Sequence, residues 1–227
     1  MFVLLFDIDG TLVHTGGAGM AALDCAFRAE FGITIPRKVP VSGRTDRGIV
    51  RHVFQLHGID DSPENWERFR IAYLQQLPQH LPLKQGHVLP GVVDLLDRLA
   101  DHQHVAIGLL TGNVRDGARI KLEYFKLFHH FPFGGFGDDH YERNDVAHAA
   151  LVASHAHLNG KVAKPRVWVI GDTPLDVRCG RWIKAQTIAV ATGTFPKNEL
   201  AAERPDVLLD DLSDTASLLS LIVSHAR

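Results

Sequence analysis

The sequence predicts an α/β fold in which a parallel sheet is covered by helices on both faces and a small helical domain is inserted near the start of the chain. Strand-like runs alternate with helix-like patterns over most of the sequence, an order typical of a parallel sheet. Residues 15–84 interrupt this order, because they contain helix-like stretches without a comparable strand. We therefore predict a core domain formed by residues 1–14 and 85–227, and a helical cap domain formed by residues 15–84.

The core strands are predicted by short runs that are rich in branched apolar residues and bounded by turn residues. A helix is predicted after Pro90-Gly91, because the apolar residues at 92, 93, 95, 96 and 99 fit one helical face. The strand runs are Phe2–Phe6, Val105–Leu110, residues 167–170 and residues 187–190, with a weaker candidate at Val207–Leu209.

The inserted segment predicts three helices, at residues 20–31, 45–57 and 63–77. Gly16-Gly17 precedes these helices, and a stretch that contains Pro82 and Gly86 follows them. Glycine and proline mark turns, so the chain is expected to cross between the two domains at these two places. Two such linkers permit a hinge motion between cap and core.

The composition is that of a folded protein, with 45% hydrophobic and 22% charged residues. The formal net charge of −2 provides no broad positive field, so nucleic acids and anionic membranes are not expected as partners. Only Cys25 and Cys179 are present, which predicts a reducing compartment rather than a disulfide framework. The short apolar N-terminus does not fit a signal peptide, and no apolar run approaches the ~20 residues of a membrane helix. We expect a cytoplasmic protein, either a monomer or a homodimer.

Two carboxylates, Asp7 and Asp9, follow the first predicted strand and precede Gly10-Thr11. Function in open parallel sheets lies at the carboxyl ends of the strands, and a spacing of two points both side chains to one side of an extended chain. Because two anionic carboxylates repel, they are expected to share a hard cation such as Mg²⁺ or a proton. An Asx turn or a helix cap after the strand is the alternative explanation.

Two further stretches follow predicted strands. In "LLTGNV", the Thr111 hydroxyl can donate to a phosphoryl oxygen, and Gly112 lets its backbone amide approach an anion. In "VIGDTPLDV", Asp172 and Asp176 share one face if a helix begins there, and they could complete an oxygen-rich cation site. Each stretch alone also fits an ordinary helix cap.

In their order and spacing, "DIDGT", Thr111 and "GDTPLD" resemble the first, second and fourth motifs of the haloacid dehalogenase-like hydrolase superfamily. The resemblance covers essentially the whole chain, and the helical insertion is similar to the type 1 cap of the phosphoglycolate phosphatase-like branch. It implies a Rossmann-like core and a Mg²⁺-dependent phosphatase. Such an enzyme hydrolyses a small phosphorylated metabolite through an aspartyl-phosphate.

The resemblance also implies roles for the four aspartates. Asp7 would be the nucleophile and a Mg²⁺ ligand, and Asp9 the general acid and base, with its main-chain carbonyl on the metal. Asp172 would be the third protein ligand of the metal. Asp176 would orient a metal-bound water.

The phosphoryl group would be held by Thr111 and the Gly112 amide, with Asn113 near the leaving group, again by resemblance. The third motif of the family is usually a lysine followed by proline, and Lys164-Pro165 lies too close to "GDTPLD" to serve. Arg143 has better spacing, at the start of a predicted helix, and a guanidinium can supply the same positive charge. A surface arginine is the alternative explanation for Arg143.

Substrate recognition is expected in the cap, where "SGRTDRG" puts Arg44 and Arg47 on a loop that enters a helix. A cap arginine could bind a substrate carboxylate or a second phosphate and so couple recognition to closure. Pairing of these arginines with Asp46 or Asp60 at the surface is the alternative.

The sequence also bears on functions other than a phosphatase. The carbon–halogen dehalogenases of the superfamily lack the second aspartate, so Asp9 favours phosphoryl transfer. A phosphonatase would need a cap lysine, for which the sequence offers only Lys38 and Lys84. A β-phosphoglucomutase-like phosphotransferase keeps the same core and stays open, as does a member that binds a phosphate ligand or a partner without turnover.

An NAD-binding protein is not expected, although "GAGMAA" (residues 17–22) matches the dinucleotide pattern, because about ten residues separate it from the preceding strand. The histidine pairs His129-His130 and His155/His157 are not expected to bind metal. Adjacent histidines point apart, and a spacing of two does not suit a helix.

Overall fold

The computed structural model of the protein describes residues 1–36, 39–159 and 166–224, so Lys38 and Lys164-Pro165 lie outside the described residues. Six of the described strands form one parallel sheet in the order β5-β4-β1-β6-β7-β8, and β2 and β3 form an antiparallel ribbon. The predicted Rossmann-like α/β fold is thereby confirmed. The strands are β1 (Phe2–Phe6), β2 (Val13–His14), β3 (His87–Val88), β4 (Val105–Leu110), β5 (Gly134–Gly135), β6 (Arg166–Gly171), β7 (Gln186–Val190) and β8 (Val207–Leu209).

Helices cover both faces of the sheet, as expected for parallel strands joined by crossover connections. The described helices are α1 (Ala18–Phe31), α2 (Asp46–His57), α3 (Pro63–His80), α4 (Val92–Ala100), α5 (Arg115–Tyr124), α6 (Arg143–His157), α7 (Pro174–Trp182), α8 (Lys197–Ala202) and α9 (Thr215–Ser224). Leu4 and Phe6 of β1 pack in one hydrophobic cluster with α4, α5 and α9, whereas Val3 and Leu5 pack on the opposite face with α6 and α7. This alternation is the period-two geometry of a strand that is buried on both sides.

Strand β1 lies inside the sheet, between β4 and β6, and its register aligns the strand ends. Phe6 pairs with Leu109 of β4 and with Ile170 of β6. The residues that follow these three positions therefore emerge at the same carboxyl edge of the sheet. This edge is where open parallel sheets carry their ligands.

Most strands agree with their predicted bounds to within one residue, but the two-residue strands β2, β3 and β5 are not predicted. Two residues are too few for a periodic pattern. Helix α3 continues to His80 past Pro78, beyond the end predicted at residue 77. A proline this close to the helix end removes one hydrogen bond without preventing the final turn.

Helices α1 to α3 surround a hydrophobic cluster of their own, in which Phe27, Phe54 and Phe69 are fully buried. Its buried members all lie between residues 18 and 81, except Val114 of the core. The β2–β3 ribbon pairs the chain leaving the core with the chain returning to it. We retain the predicted cap of residues 15–84 as a proposal, which this separate cluster supports.

Among the described residues, none of the helices combines the length and the apolar character needed to cross a lipid bilayer.

Phe69→Ala tests whether the cluster stabilises the helical segment. Phe69 is fully buried, and its ring centroid lies 4.5 Å from that of Phe27, with the two rings tilted against each other. Removing a buried aromatic ring costs roughly 3–5 kcal/mol, so we expect a loss of this size in the free energy of unfolding measured with urea. Leu83 is 75% exposed, and Leu83→Ala, as control, should change it by less than ~0.5 kcal/mol. Equal effects of the two substitutions would contradict the cluster's role.

Candidate active site

Asp7 follows β1 directly and is buried at the carboxyl edge of the sheet, with 5% of its surface exposed. Its backbone N–H donates to the carbonyl of Ile170 in β6 at 2.9 Å, which extends the sheet pairing by one residue. Burial raises the pKa of the Asp7 carboxyl to about 6, although the nearby Arg143 guanidinium opposes the shift.

Arg143 begins α6 and is buried among the ends of other elements. Its Nη2 lies 3.0 Å from Asp7 Oδ1 and 2.5 Å from Asp176 Oδ1, and it donates to the carbonyl of Leu110 at 3.1 Å. Burial alone would lower the pKa of Arg143, but the two carboxylates outweigh it and raise the pKa. Arg143 is therefore a buried counter-charge in the aspartate cluster and not a surface arginine.

Asp172 and Asp176 approach the site in a different way from the one that the sequence predicts. Helix α7 begins at Pro174, so Asp172 precedes the helix and does not share a helical face with Asp176. Asp176 instead forms a capping box, in which its Oδ2 accepts from the N–H and the hydroxyl of Thr173. Asp172 Oδ1 accepts from the hydroxyl of Thr11 at 3.1 Å.

Three buried carboxylates could hold a metal ion. One oxygen from each of Asp7, Asp172 and Asp176 lies within 4.8 Å of the others. Burial raises the pKa of Asp172 well above its usual range, and the Asp176 and Asp7 carboxylates add to the shift. Arg143 compensates only part of this concentration of negative charge. Carboxylate oxygens are the ligands that Mg²⁺ prefers, so the donor set fits that ion.

Two glycines make room for the Asp172 carboxylate. A Cβ at Gly193 would lie 1.7 Å from Asp172 Oδ2, and a Cβ at Gly10 would lie 2.4 Å from the same atom. Gly10 also has φ of +86°, a conformation that side chains disfavour. The space beside the carboxylate therefore depends on the absence of side chains at these positions.

Asp9 pairs with a different positively charged side chain, that of Lys121. Its Oδ2 accepts from Lys121 Nζ at 2.6 Å and from Asn113 Nδ2 at 2.9 Å. Burial alone would raise the pKa of Asp9, but the Lys121 ammonium and the hydrogen bonds outweigh it, and the pKa lies below its usual value. The side chains of Asp7 and Asp9 thus occupy different electrostatic surroundings, although they are two residues apart.

Thr111, Gly112 and Asn113 form the loop between β4 and α5, and the helical segment contacts this loop. Gly112 accepts at its carbonyl from the Asp46 N–H at 2.7 Å, and a Cβ at Gly112 would lie 2.1 Å from the Arg44 carbonyl oxygen. The hydroxyl of Thr111 accepts from the Asn113 side chain at 2.8 Å. Backbone contact this close requires glycine at position 112.

A cavity of about 360 Å³ opens between this edge of the sheet and the helical segment. This size suits a small metabolite rather than a polymer. Its lining includes Asp7, Asp9, Asp46, Gly112, Asn113, Lys121, Arg143 and Asp172.

The two cap arginines differ in position. Arg44 lines the cavity, but its guanidinium donates to the carbonyls of Pro40 and Gly48. Arg47 is outside the cavity lining: it pairs with Asp61, and not with Asp46 or Asp60, and it donates to the hydroxyl of Tyr141. The Arg47 guanidinium is already paired with the Asp61 carboxylate, so we do not propose Arg47 as a substrate ligand.

The sequence patterns do not reveal Lys121 and Asp46. Lys121 lies on the buried face of α5, one turn after Gly117 and Ala118, and a lysine at an apolar helical position was the available signal. Asp46 accepts from the Val114 N–H at 2.8 Å, and burial raises its pKa to about 6. No local pattern marks Asp46, because its partner is 68 residues away in the chain.

Comparison with known proteins agrees with this fold. A family model described as "Haloacid dehalogenase-like hydrolase" matches residues 4–190, and the chain belongs to this family. Relatives named phosphoglycolate phosphatase include one from Agrobacterium fabrum (25% identical; 97% of this chain and 93% of the relative covered) and one from Synechococcus elongatus (27% identical; 94% and 95%). A crystal structure of a hydrolase from Pseudomonas syringae has a TM-score of 0.73 at 24% identity, and the match covers 98% of this chain and 99% of that one. The predicted family is confirmed, and the relatives named phosphoglycolate phosphatase belong to the predicted enzyme class, the phosphoric monoester hydrolases.

Gly10→Ala tests the space beside Asp172. The methyl group should displace the Asp172 carboxylate, so we expect Mg²⁺ affinity, measured by titration calorimetry, to fall at least ~tenfold. Gly58 also has positive φ (+66°), but a methyl group there would have nothing within 4 Å, so Gly58→Ala is the matched control. Both variants should lose about 1–2 kcal/mol of stability from backbone strain. Equal Mg²⁺ affinity in the two variants would contradict the argument.

Proposed function

We propose that the protein is a Mg²⁺-dependent phosphatase that hydrolyses a small phosphate monoester through an aspartyl-phosphate on Asp7. The observation that carries this proposal is the position of Asp7. It is a buried carboxylate, paired with Arg143, that lies beside Asp172 and Asp176 and lines a cavity of metabolite size. Membership of the hydrolase family supports the same reaction.

In the first step, the Asp7 carboxylate attacks phosphorus and the bond between phosphorus and the ester oxygen breaks. Asp9 donates a proton to the departing oxygen, so that the product leaves as a neutral alcohol. In the second step, Asp9 takes a proton from water, the water oxygen attacks phosphorus, and the Asp7 carboxylate is released with inorganic phosphate. Both aspartates thereby return to their starting states in each cycle.

The residues around Asp7 support the charge changes of both steps. Arg143 offers a fixed positive charge beside Asp7, and the Gly112 amide and the Thr111 hydroxyl would hold the phosphoryl oxygens. Asp7, Asp172 and the Asp9 carbonyl would hold Mg²⁺, with Asp176 beside them. The ion would supply positive charge that lets an anionic nucleophile approach an anionic phosphate.

We propose that the cavity binds a small phosphate ester that carries a second anionic group. Curated relatives are named phosphoglycolate phosphatase, and 2-phosphoglycolate is therefore the first compound to assay. Arg44 is kept as a proposed substrate ligand, because it lines the cavity. Asn113 is kept near the leaving group, because it donates to Asp9. A cytoplasmic location and a monomeric or homodimeric state are part of the same proposal.

The proposal is tested by assaying phosphate release from 2-phosphoglycolate, p-nitrophenyl phosphate and a panel of small phosphate esters, with Mg²⁺ and with EDTA. Release should require Mg²⁺. Asp7→Asn should lower kcat at least ~10⁴-fold, because an amide is a poor nucleophile. Asp101→Asn makes the same change at an exposed position and should leave kcat unaltered.

Full activity in Asp7→Asn would overturn the covalent mechanism. Absence of release from every ester, by a folded protein that binds Mg²⁺, would overturn the phosphatase. The phosphotransferase alternative predicts a different result, in which a phosphoryl group passes to a sugar hydroxyl without release of phosphate. The relatives named phosphatase give that alternative no support.

A further inference from the structure

Lys121 places a buried ammonium group in the cavity, and this group has no role in the reaction steps proposed above. The residue is 4% exposed, and its side chain runs from α5 of the core to the cavity. Its Nζ lies 2.6 Å from Asp9 Oδ2 and 2.6 Å from Asn113 Oδ1. Both Arg143 and Lys121 line the cavity, but Arg143 contacts Asp7, whereas Lys121 contacts Asp9.

Hydrogen bonds link Asp9, Lys121, Asn113 and Thr111 to one another. Asn113 accepts from Lys121 through Oδ1 and donates through Nδ2 to Asp9 Oδ2 and to the Thr111 hydroxyl. Two donors from different elements therefore meet at the same oxygen of Asp9. An oxygen held in this way cannot rotate freely, and the orientation of the whole carboxyl group is fixed with it.

The position of Lys121 is not explained by stability alone. Removing an ammonium from water costs several kcal/mol, and the attraction to a carboxylate partner offsets this cost only when the geometry of the pair is good. Lys121 also lies against the start of α1, where a Cβ at Gly19 would be 3.3 Å from Nζ. A helix N-terminus carries partial positive charge, so this neighbour repels the ammonium. We therefore explain the burial of Lys121 by its contact with Asp9.

We propose that Lys121 is a positioning residue, which holds the Asp9 carboxyl group in the orientation needed to protonate the leaving group. The inference rests on the proposed function. Asp9 gives its proton to the ester oxygen as the bond to phosphorus breaks and Asp7 gains the phosphoryl group. Lys121 keeps its own protons throughout. An alkoxide is a poor leaving group and needs this proton, whereas 4-nitrophenolate departs without it.

The proposal predicts that removing Lys121 harms esters according to their leaving group. We would measure kcat/KM for phenyl, 4-chlorophenyl and 4-nitrophenyl phosphate and for 2-phosphoglycolate, because kcat/KM reports the steps up to loss of the alcohol. In Lys121→Met, it should fall less than ~tenfold for 4-nitrophenyl phosphate. For 2-phosphoglycolate it should fall ~10²–10⁴-fold, the usual contribution of a general acid. Lys126→Met removes an exposed lysine near the same helix and should change neither value.

A second measurement identifies the group through which Lys121 acts. On the background of Asp9→Asn, Lys121→Met should cost less than ~threefold with 2-phosphoglycolate, because the group that it positions is already lost. If Lys121→Met does not fold, as judged by urea unfolding, Lys121→Gln provides the same comparisons.

Equal losses for all four esters, or undiminished losses on the Asp9→Asn background, would overturn the positioning role and leave Lys121 a structural or binding residue. Unchanged kcat/KM for 2-phosphoglycolate in Lys121→Met would also overturn it. If the unsubstituted protein hydrolyses none of the four esters, the proposed function itself fails. The two failures are therefore distinguishable.

Discussion

The pairing of Arg143 with Asp7 and Asp176 is the interaction on which the candidate site depends. Removing one partner from a buried ion pair costs roughly 3–5 kcal/mol, because the other charge is left uncompensated. The guanidinium also donates to the carbonyl of Leu110, so it fastens the start of α6 to the ends of β1 and β4 and to α7. Four elements of the core meet at this one side chain.

The two aspartates that follow β1 contact different positively charged side chains. Arg143 contacts Asp7, and Lys121 contacts Asp9, so each carboxylate has its own counter-charge. The pKa of Asp7 is raised to about 6 by burial, whereas the pKa of Asp9 is lowered, because its ammonium contact and hydrogen bonds outweigh burial. Each carboxyl group therefore has a charge partner from a different helix, Arg143 from α6 and Lys121 from α5.

The helical segment completes the site by direct backbone contact. Asp46 donates from its N–H to the carbonyl of Gly112 and accepts from the N–H of Val114. These bonds attach the start of α2 to the middle and to the end of the loop that holds Gly112 and Asn113. The start of α2 and this loop are therefore held against each other, although α2 belongs to the proposed cap and the loop belongs to the core.

The sequence by itself determined the alternation of strands and helices, because branched apolar runs and helical periodicity are local properties. It also located Asp7, Asp9 and Asp172 near strand ends, since each follows a strand-like run and the carboxyl ends of parallel strands share one edge of the sheet. Only the tertiary structure decided which charges meet. Lys121 is 112 residues from Asp9, and Arg47 turns to Asp61 instead of the cavity. Such contacts depend on how the elements pack in three dimensions, and a pattern of neighbouring residues carries no record of them.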